Sequence, residues 1–273
     1  MYWTSFCHFQ TKCTGHRSVI FFKTYLGVFV CMTTRSVHLE TMSGLETEDF
    51  LHSFNRFQAC RGPPSKIFSD NGPNFIKARK SINIDRTLGP PYGSHHQGLV
   101  EAAVKSSKRC LFKVTKGHVL TFEEYCTLFA RIEATLNSRP LCRYDGGYLT
   151  PEHFLIGKHL LLPSEPDVTS IPLHQRYHLV DKMYRDFWLS WSRDYLNDFN
   201  NRTRWMKKKP NVEVGDIVLV SQPDTKSHSW PLAKITRVYP ESDQLVRKVT
   251  VQISGQEYDR PITRLVLLPI DTT

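Results

Sequence analysis

The residues best placed to do chemistry lie in "SDNGPNF", Ser69 to Phe75, and in the helical pattern that opens after Gly98. Asp70 follows the short apolar run "SKIF". A carboxylate at the end of a strand can hold a metal ion, and an ordinary turn places Asp, Asn and Gly in the same order. Glu101 stands near the start of the second pattern, with Lys105 and Lys108 four and seven residues beyond it. That spacing sets all three on one helical face, which Arg109 flanks. A carboxylate with lysines one and two turns further on can hold a divalent cation while the lysines grip phosphates. Mg²⁺ suits carboxylate oxygens and keeps positions open for phosphate and water. Paired ions of this kind activate an attacking oxygen and stabilise a leaving one. Taken by itself the helix reads better as a solvated face supported by a Glu–Lys pair.

A second group, Cys7, His8, Cys13 and His16 in "CHFQTKCTGH", has the donor types of a zinc tetrahedron. Adjacent Cys and His leave little chain to wrap an ion, so the reading is chance clustering. The 7 cysteines of the chain are scattered and odd in number, which speaks against a disulfide framework and for a reducing compartment. Over 273 residues, 36 Lys and Arg stand against 26 Asp and Glu, a formal charge of +10. An excess of this size points to a polyanionic partner, nucleic acid first. The densest stretch is "NNRTRWMKKKPN", where Arg202, Arg204, Lys207, Lys208 and Lys209 occur without an acid. Those side chains can neutralise phosphates and release counterions, or form a solvated linker. No basic leader with a long apolar run opens the sequence, and "VIFFKTYLGVFVCM" is interrupted by Lys23. An intracellular protein without a membrane segment is expected.

The elements that must position these groups follow from periodicity. Residues 18–40 are rich in Val, Ile, Phe, Tyr and Thr and suit two or three strands of a central sheet. Phe50, Leu51, Phe54 and Phe57, between a Thr47 cap and Gly62, describe an amphipathic helix. "PSKIFSD" is a further strand, and "RTLGPPYGSHHQG" is loop by composition. Another helix carries Phe122, Tyr125, Phe129, Ile132 and Leu136 on one side. A Pro- and Leu-rich connector leads to a long helix with Tyr184, Trp188, Trp191 and Tyr195 on one stripe, read as packing. Period-two patterns from Val212 onward give four or five short strands, the size of a small SH3-like β-barrel.

The ordered set "CMTTRSVHLE", "RFQACRGPPSKIFSDNGPNF", "GPPYGSHHQGLVEAAVKSSKR", "LNSRPL" and "LTPEHFLIG" resembles the integrase of BEL/Pao-type LTR retrotransposons. The tail, from "RWMKKKPNVEVGDIVLV" to "RPITRLVLLP", resembles the small domain that follows the core in those polyproteins. The resemblance spans residues 23 to 269, roughly. It implies an α/β, RNase H-like core at 1–145 that is N-terminally incomplete, a connector and long helix at 146–208, and an SH3-like barrel at 209–270. It also implies two Mg²⁺ or Mn²⁺ ions in an Asp-Asp-Glu triad, processing of the element's DNA ends, and strand transfer to target DNA. Asp70 matches the second acid and Glu101 the third, as catalytic and metal-binding residues. Lys105 and Lys108 match positions that contact the DNA end. Asn137 to Pro140 match a structural motif at a helix end.

Two departures set the expected activity. The first acid belongs on the opening strand, where this chain has "SFCHFQTKCTGH" and no Asp or Glu before Glu40. Glu40 does not replace it, since the family has an acid in its "HLE" as well. Between Asp70 and Glu101 the chain is also shorter than the family pattern, and the His/Cys zinc module that normally precedes the core is missing. The resulting expectation is an integrase-like protein impaired in catalysis, acting on DNA in the nucleus and self-associating. The alternative is a non-enzymatic DNA-binding or scaffold protein derived from one.

Overall fold

The apolar alternation that marks residues 18–40 as sheet extends further toward the N-terminus than composition suggests. In a computed structural model, residues 2–13, 19–69, 85–86, 108–144, 147–159, 176–200, 211–222 and 226–268 are described. Strand β1 (Tyr2–Cys13) pairs antiparallel with β2 (Ile20–Cys31) along its whole length, Tyr2 opposite Cys31 and Cys13 opposite Ile20. Strand β3 (Val37–Met42) pairs antiparallel with the inner part of β2, from Tyr25 to Val30. On the other side of β1, β4 (Lys66–Ser69) and β5 (Asp85–Arg86) add in parallel. The order is β3-β2-β1-β4-β5, a mixed sheet with β1 at its centre.

Helix α1 (Thr47–Arg61) covers one face. Its Phe50, Phe54 and Phe57 are fully buried, and Phe57 stacks on Phe29 of β2 at 4.5 Å. Burying each such ring contributes about 1.5–3 kcal/mol. The expected Thr47 cap is corrected by one residue. Glu46 is the N-cap, and Asp49 accepts a hydrogen bond from the Glu46 N–H at 3.1 Å in a capping box. Residues 108–115 form helix α2, and Phe122–Asn137 form α3 on the opposite face. There Tyr125 and Phe129 of α3 meet Phe9 of β1 at 5.4 and 5.5 Å.

Side chains also close the outer edge of β3. The Asn137 side chain accepts from the Val37 N–H and donates to the Val37 carbonyl, both at 2.8 Å. Glu133 accepts from the Leu39 N–H at 2.8 Å, and Arg56 donates to the Thr41 carbonyl at 3.0 Å. Four of the backbone groups that would otherwise template another strand along 37, 39 and 41 are thus occupied.

The chain divides into two compact units, Met1–Asn137 with Pro166–Phe187, and Ser138–Glu165 with Trp188–Thr273. Helix α5 (Arg176–Asn200) contributes to both. Its first part packs in the first unit, where Arg131 pairs with Asp181 and the Thr135 and Tyr184 hydroxyls share a 2.9 Å hydrogen bond. In the second unit, β6 (Cys142–Tyr144) and β7 (Gly147–Leu149) form a hairpin before the short α4 (Pro151–Ile156), an element the sequence read only as connector. Five further strands, β8 (Ile217–Val220), β9 (Leu232–Pro240), β10 (Val246–Ile253), β11 (Gln256–Pro261) and β12 (Leu265–Leu267), make an antiparallel sheet in the order β11-β10-β9-β8-β12. Among the described residues the outer strands β11 and β12 do not pair, so the strands expected of a barrel form an open sheet.

The aromatic stripe of α5 packs, as its periodicity implies. Trp188, Trp191 and Tyr195 surround Trp230 at 5.0, 6.1 and 5.8 Å, and the Trp230 indole N–H donates to the Ser138 hydroxyl. The Tyr195 hydroxyl donates to the Pro140 carbonyl at 2.6 Å, and burial pushes its pKa up to about 12.

Replacing Asn137 with Ala leaves both Val37 backbone groups without their partner. The expected cost is about 2–4 kcal/mol, read as a lower denaturation midpoint in urea. An unchanged midpoint would show that the β3 edge does not depend on this side chain.

Candidate functional site

The carboxylate site starts from the neighbourhood of β1 and β4. The parallel register sets Tyr2 opposite Ile67 and Thr4 opposite Ser69, so β4 ends beside the N-terminal half of β1. The next residue in sequence is Asp70. Asp70 itself lies outside the described residues, as do Glu101, Lys105, Arg202, Arg204, Lys207, Lys208 and Lys209. The strand expected to carry the first acid is present and fully paired, but "YWTSFCHFQTKC" offers no carboxylate at any of its 12 positions.

Of the expected DNA-contacting residues, Lys108 and Arg109 are described, on α2. Lys108 is half-buried and Arg109 exposed. Burial pushes the Cys7 thiol of β1 up to about 11, and the Lys108 charge opposes that rise, which places this lysine near the central strand. Cys7 and His8 project from opposite faces of β1 because neighbouring strand residues alternate. That geometry points Cys7 and His8 away from each other, and His16 lies outside the described residues. Among the described residues, no three His, Cys, Asp or Glu side chains come together to hold a metal ion.

Glu40 is engaged elsewhere. It sits on β3, three strand positions from β4 and roughly 14 Å away at ordinary strand spacing. Its carboxylate accepts from Arg56 at 2.7 Å and meets His38 Nε2 at 3.0 Å. Glu133 of α3 takes the other ring nitrogen of His38 at 3.2 Å and pairs with Arg61. Burial works against a charged His38, yet the hydrogen bonds to Glu133 and Glu40 outweigh it and raise the imidazole to about 9. For Glu40, burial acts upward, and the bonds from His38 and Arg56 overcome it and hold the carboxyl below its usual range. This network lines a groove of about 650 Å³ with Asp49 and His52. Sequence reading missed Glu133, whose partners lie 72 to 95 residues away. The "HLE" of the motif was the available signal, and it marks a structural ion network.

Among the described residues, neither β1 nor the distant Glu40 supplies a carboxylate beside the end of β4.

Residues 175–268 match a family described as "Family of unknown function (DUF5641)", a stretch that takes in α5 and the five-stranded antiparallel sheet. No curated protein matches the chain. Among solved structures, the chain is similar to the simian T-cell lymphotropic virus intasome in complex with PP2A regulatory subunit B56 gamma. That likeness has 16% identity and a TM-score of 0.42, over 99% of this chain and 78% of the other. The trimeric HTLV-2 integrase catalytic core domain in complex with magnesium is 19% identical, with a TM-score of 0.40 over 56% of this chain and 94% of its own. The catalytic core domain of BIV integrase is 22% identical, with a TM-score of 0.39 over 57% and 93%.

The His38 network carries a pH signature. Because the folded imidazole titrates near 9 rather than 6.5, the protonated ring favours the fold. Its contribution is complete below about pH 6.5 and is lost as pH rises toward 9, by up to roughly 3 kcal/mol. Calorimetric melting of the first unit's transition should therefore fall between these limits. In His38→Gln the slope should flatten, and an equal slope in both proteins would assign the effect to another group.

Proposed function

We propose that this chain is an integrase-like DNA-binding protein of BEL/Pao retrotransposon type, impaired in metal-dependent end processing and strand transfer. The observation that carries the impairment is β1, a fully paired strand with no carboxylate beside the end of β4. The ordered motifs from "CMTTRSVHLE" to "LTPEHFLIG" support the integrase relationship, and the mixed sheet agrees with the RNase H-like core they imply.

In this reading, residues 1–145 form the core, 146–208 the connector and long helix, and 209–270 an SH3-like module. The five-strand order and the Trp230 anchor support such a module. Asp70 and Glu101 are what remains of the metal site and hold at most one Mg²⁺ or Mn²⁺. DNA is held by distributed charge: Lys105, Lys108 and Arg109 near the core, and Arg202, Arg204, Lys207, Lys208 and Lys209 in the basic segment. The protein works in the nucleus and self-associates. No described helix is long and apolar enough to cross a membrane.

The missing β1 acid also favours the second reading, a DNA-binding scaffold that performs no chemistry. The two readings separate in a joining assay. Purified protein with Mn²⁺ and a labelled DNA end is expected to give no joined product above background. Robust joining that disappears in Asp70→Asn would overturn the impairment.

DNA binding should survive the loss of chemistry. Duplex affinity is expected to fall steeply with salt. Changing all five cations of the basic segment to Ala should lower the log–log salt slope by up to about 4.5, since each neutralised phosphate contributes about 0.9. An unchanged slope would place the DNA contacts elsewhere.

A further inference from the structure

The β1–β2 ladder runs past the end of β3. The last β2 residue that pairs with β3 is Tyr25, so Ile20–Thr24 project beyond it with β1 as their strand partner. Directly opposed residues of an antiparallel pair share a face, and neighbours two apart along a strand share it too. From the junction with β3 outward, one face of the ribbon therefore carries three cross-strand pairs: His8 with Tyr25, Gln10 with Lys23, and Lys12 with Phe21.

This face is open. His8, Gln10, Phe21 and Lys23 are exposed, Phe21 at 54%, while Lys12 and Tyr25 are half-buried. The opposite face is packed at Thr11 and Thr24, while Ile20 and Phe22, nearer the ribbon's end, are exposed on it. Thr11 and Thr24 are fully buried with their hydroxyls hydrogen-bonded to each other, and the Lys12 N–H donates to the Leu120 carbonyl at 3.0 Å. The ribbon is thus backed at its inner end and presents rings and cations along its open face. His8 and Tyr25 lie with ring centroids 6.2 Å apart, and Phe21 follows roughly 13 Å along β2 from Tyr25.

Its charge is one-sided. No Asp or Glu occurs before Glu40. Among the described residues, neither Lys12 nor Lys23 has an ion-pair partner. A large exposed phenyl ring between uncompensated lysines matches a ligand that offers flat apolar faces joined by negative charges.

We propose that this face of the β1–β2 ribbon is a stacking platform for unpaired bases of a DNA strand, with Phe21 and Tyr25 under the bases and Lys12 and Lys23 on the phosphates. Base stacking on aromatic side chains is sequence-tolerant, and a paired duplex hides the faces it needs. A second copy of the chain is disfavoured as occupant, because two such ribbons would bring like charges together. The inference rests on the DNA-binding reading and adds a strand-selective site to it.

The test uses the full chain and fluorescence anisotropy with three labelled probes: oligo(dT), an abasic oligomer of equal length, and a duplex. Wild-type protein is expected to bind oligo(dT) about tenfold more tightly than the abasic strand, the loss expected when stacking is removed. Phe21→Ala should erase that difference and leave duplex binding unchanged, and Phe21→Trp should restore it. Lys12→Ala with Lys23→Ala should weaken oligo(dT) and abasic binding alike. Equal wild-type affinity for oligo(dT) and the abasic strand overturns the platform, as does a Phe21→Ala protein that binds oligo(dT) like wild type. Sedimentation showing a DNA-free dimer lost in Phe21→Ala would assign the face to a second copy and overturn it as well. Retained duplex binding in those cases leaves the DNA-binding reading intact, whereas failure of all three probes removes that reading itself.

Discussion

The 12-residue antiparallel ladder between β1 and β2 is the constraint on which the rest of the first unit depends. It fixes β1 at the centre of the sheet, so that one of its edges is free to receive β4 in parallel. It also sets the two faces, sending Phe29 toward α1 and Phe9 toward α3. A shift of one residue in this pairing would exchange the two faces and expose both rings. The same ladder decides which chemistry is within reach. Whatever β1 carries stands next to the strand that leads into Asp70, and β1 carries hydroxyls, thiols, amides and rings without a carboxylate.

At the other edge of the sheet, acids are plentiful but already engaged. Glu40 and Glu133 hold His38, Arg56 and Arg61, and Glu133 also takes a backbone N–H of β3. Buried charges of this kind persist because each is paired and hydrogen-bonded, and removing one member leaves the rest uncompensated. The groove they line is therefore explained by structure. Asn137, which opens the "NSRP" stretch, belongs to the same task, clamping the first residue of β3 from the end of α3.

Much of this fold was legible because it is local. The spacing of Phe50, Phe54 and Phe57 gives α1, and Tyr125, Phe129, Ile132 and Leu136 give α3. The Tyr184-to-Tyr195 stripe gives α5 and its packing role. What was not legible depends on distant partners. In β1, Thr, Gln, Lys and Cys alternate with rings, so the strand's length shows only once its match to β2 is seen. Glu133 looks like any exposed helix acid until β3 is laid beside it. The open edge between β11 and β12 follows from pairing, which strand patterns do not specify. Of the proposed site, the sequence marks the lack of any carboxylate before Glu40 directly, and the structure adds that β1 is fully paired and lies beside β4.

On the proposed reading, a well-formed sheet thus stands beside an incomplete set of carboxylates. Binding of Mn²⁺, counted by paramagnetic resonance on the purified chain, tests that combination most directly. We expect at most one ion per chain, lost in Asp70→Asn. Two ions per chain, both released by that substitution, would mean that a third ligand completes the site and that the chain retains the metal centre of an active integrase.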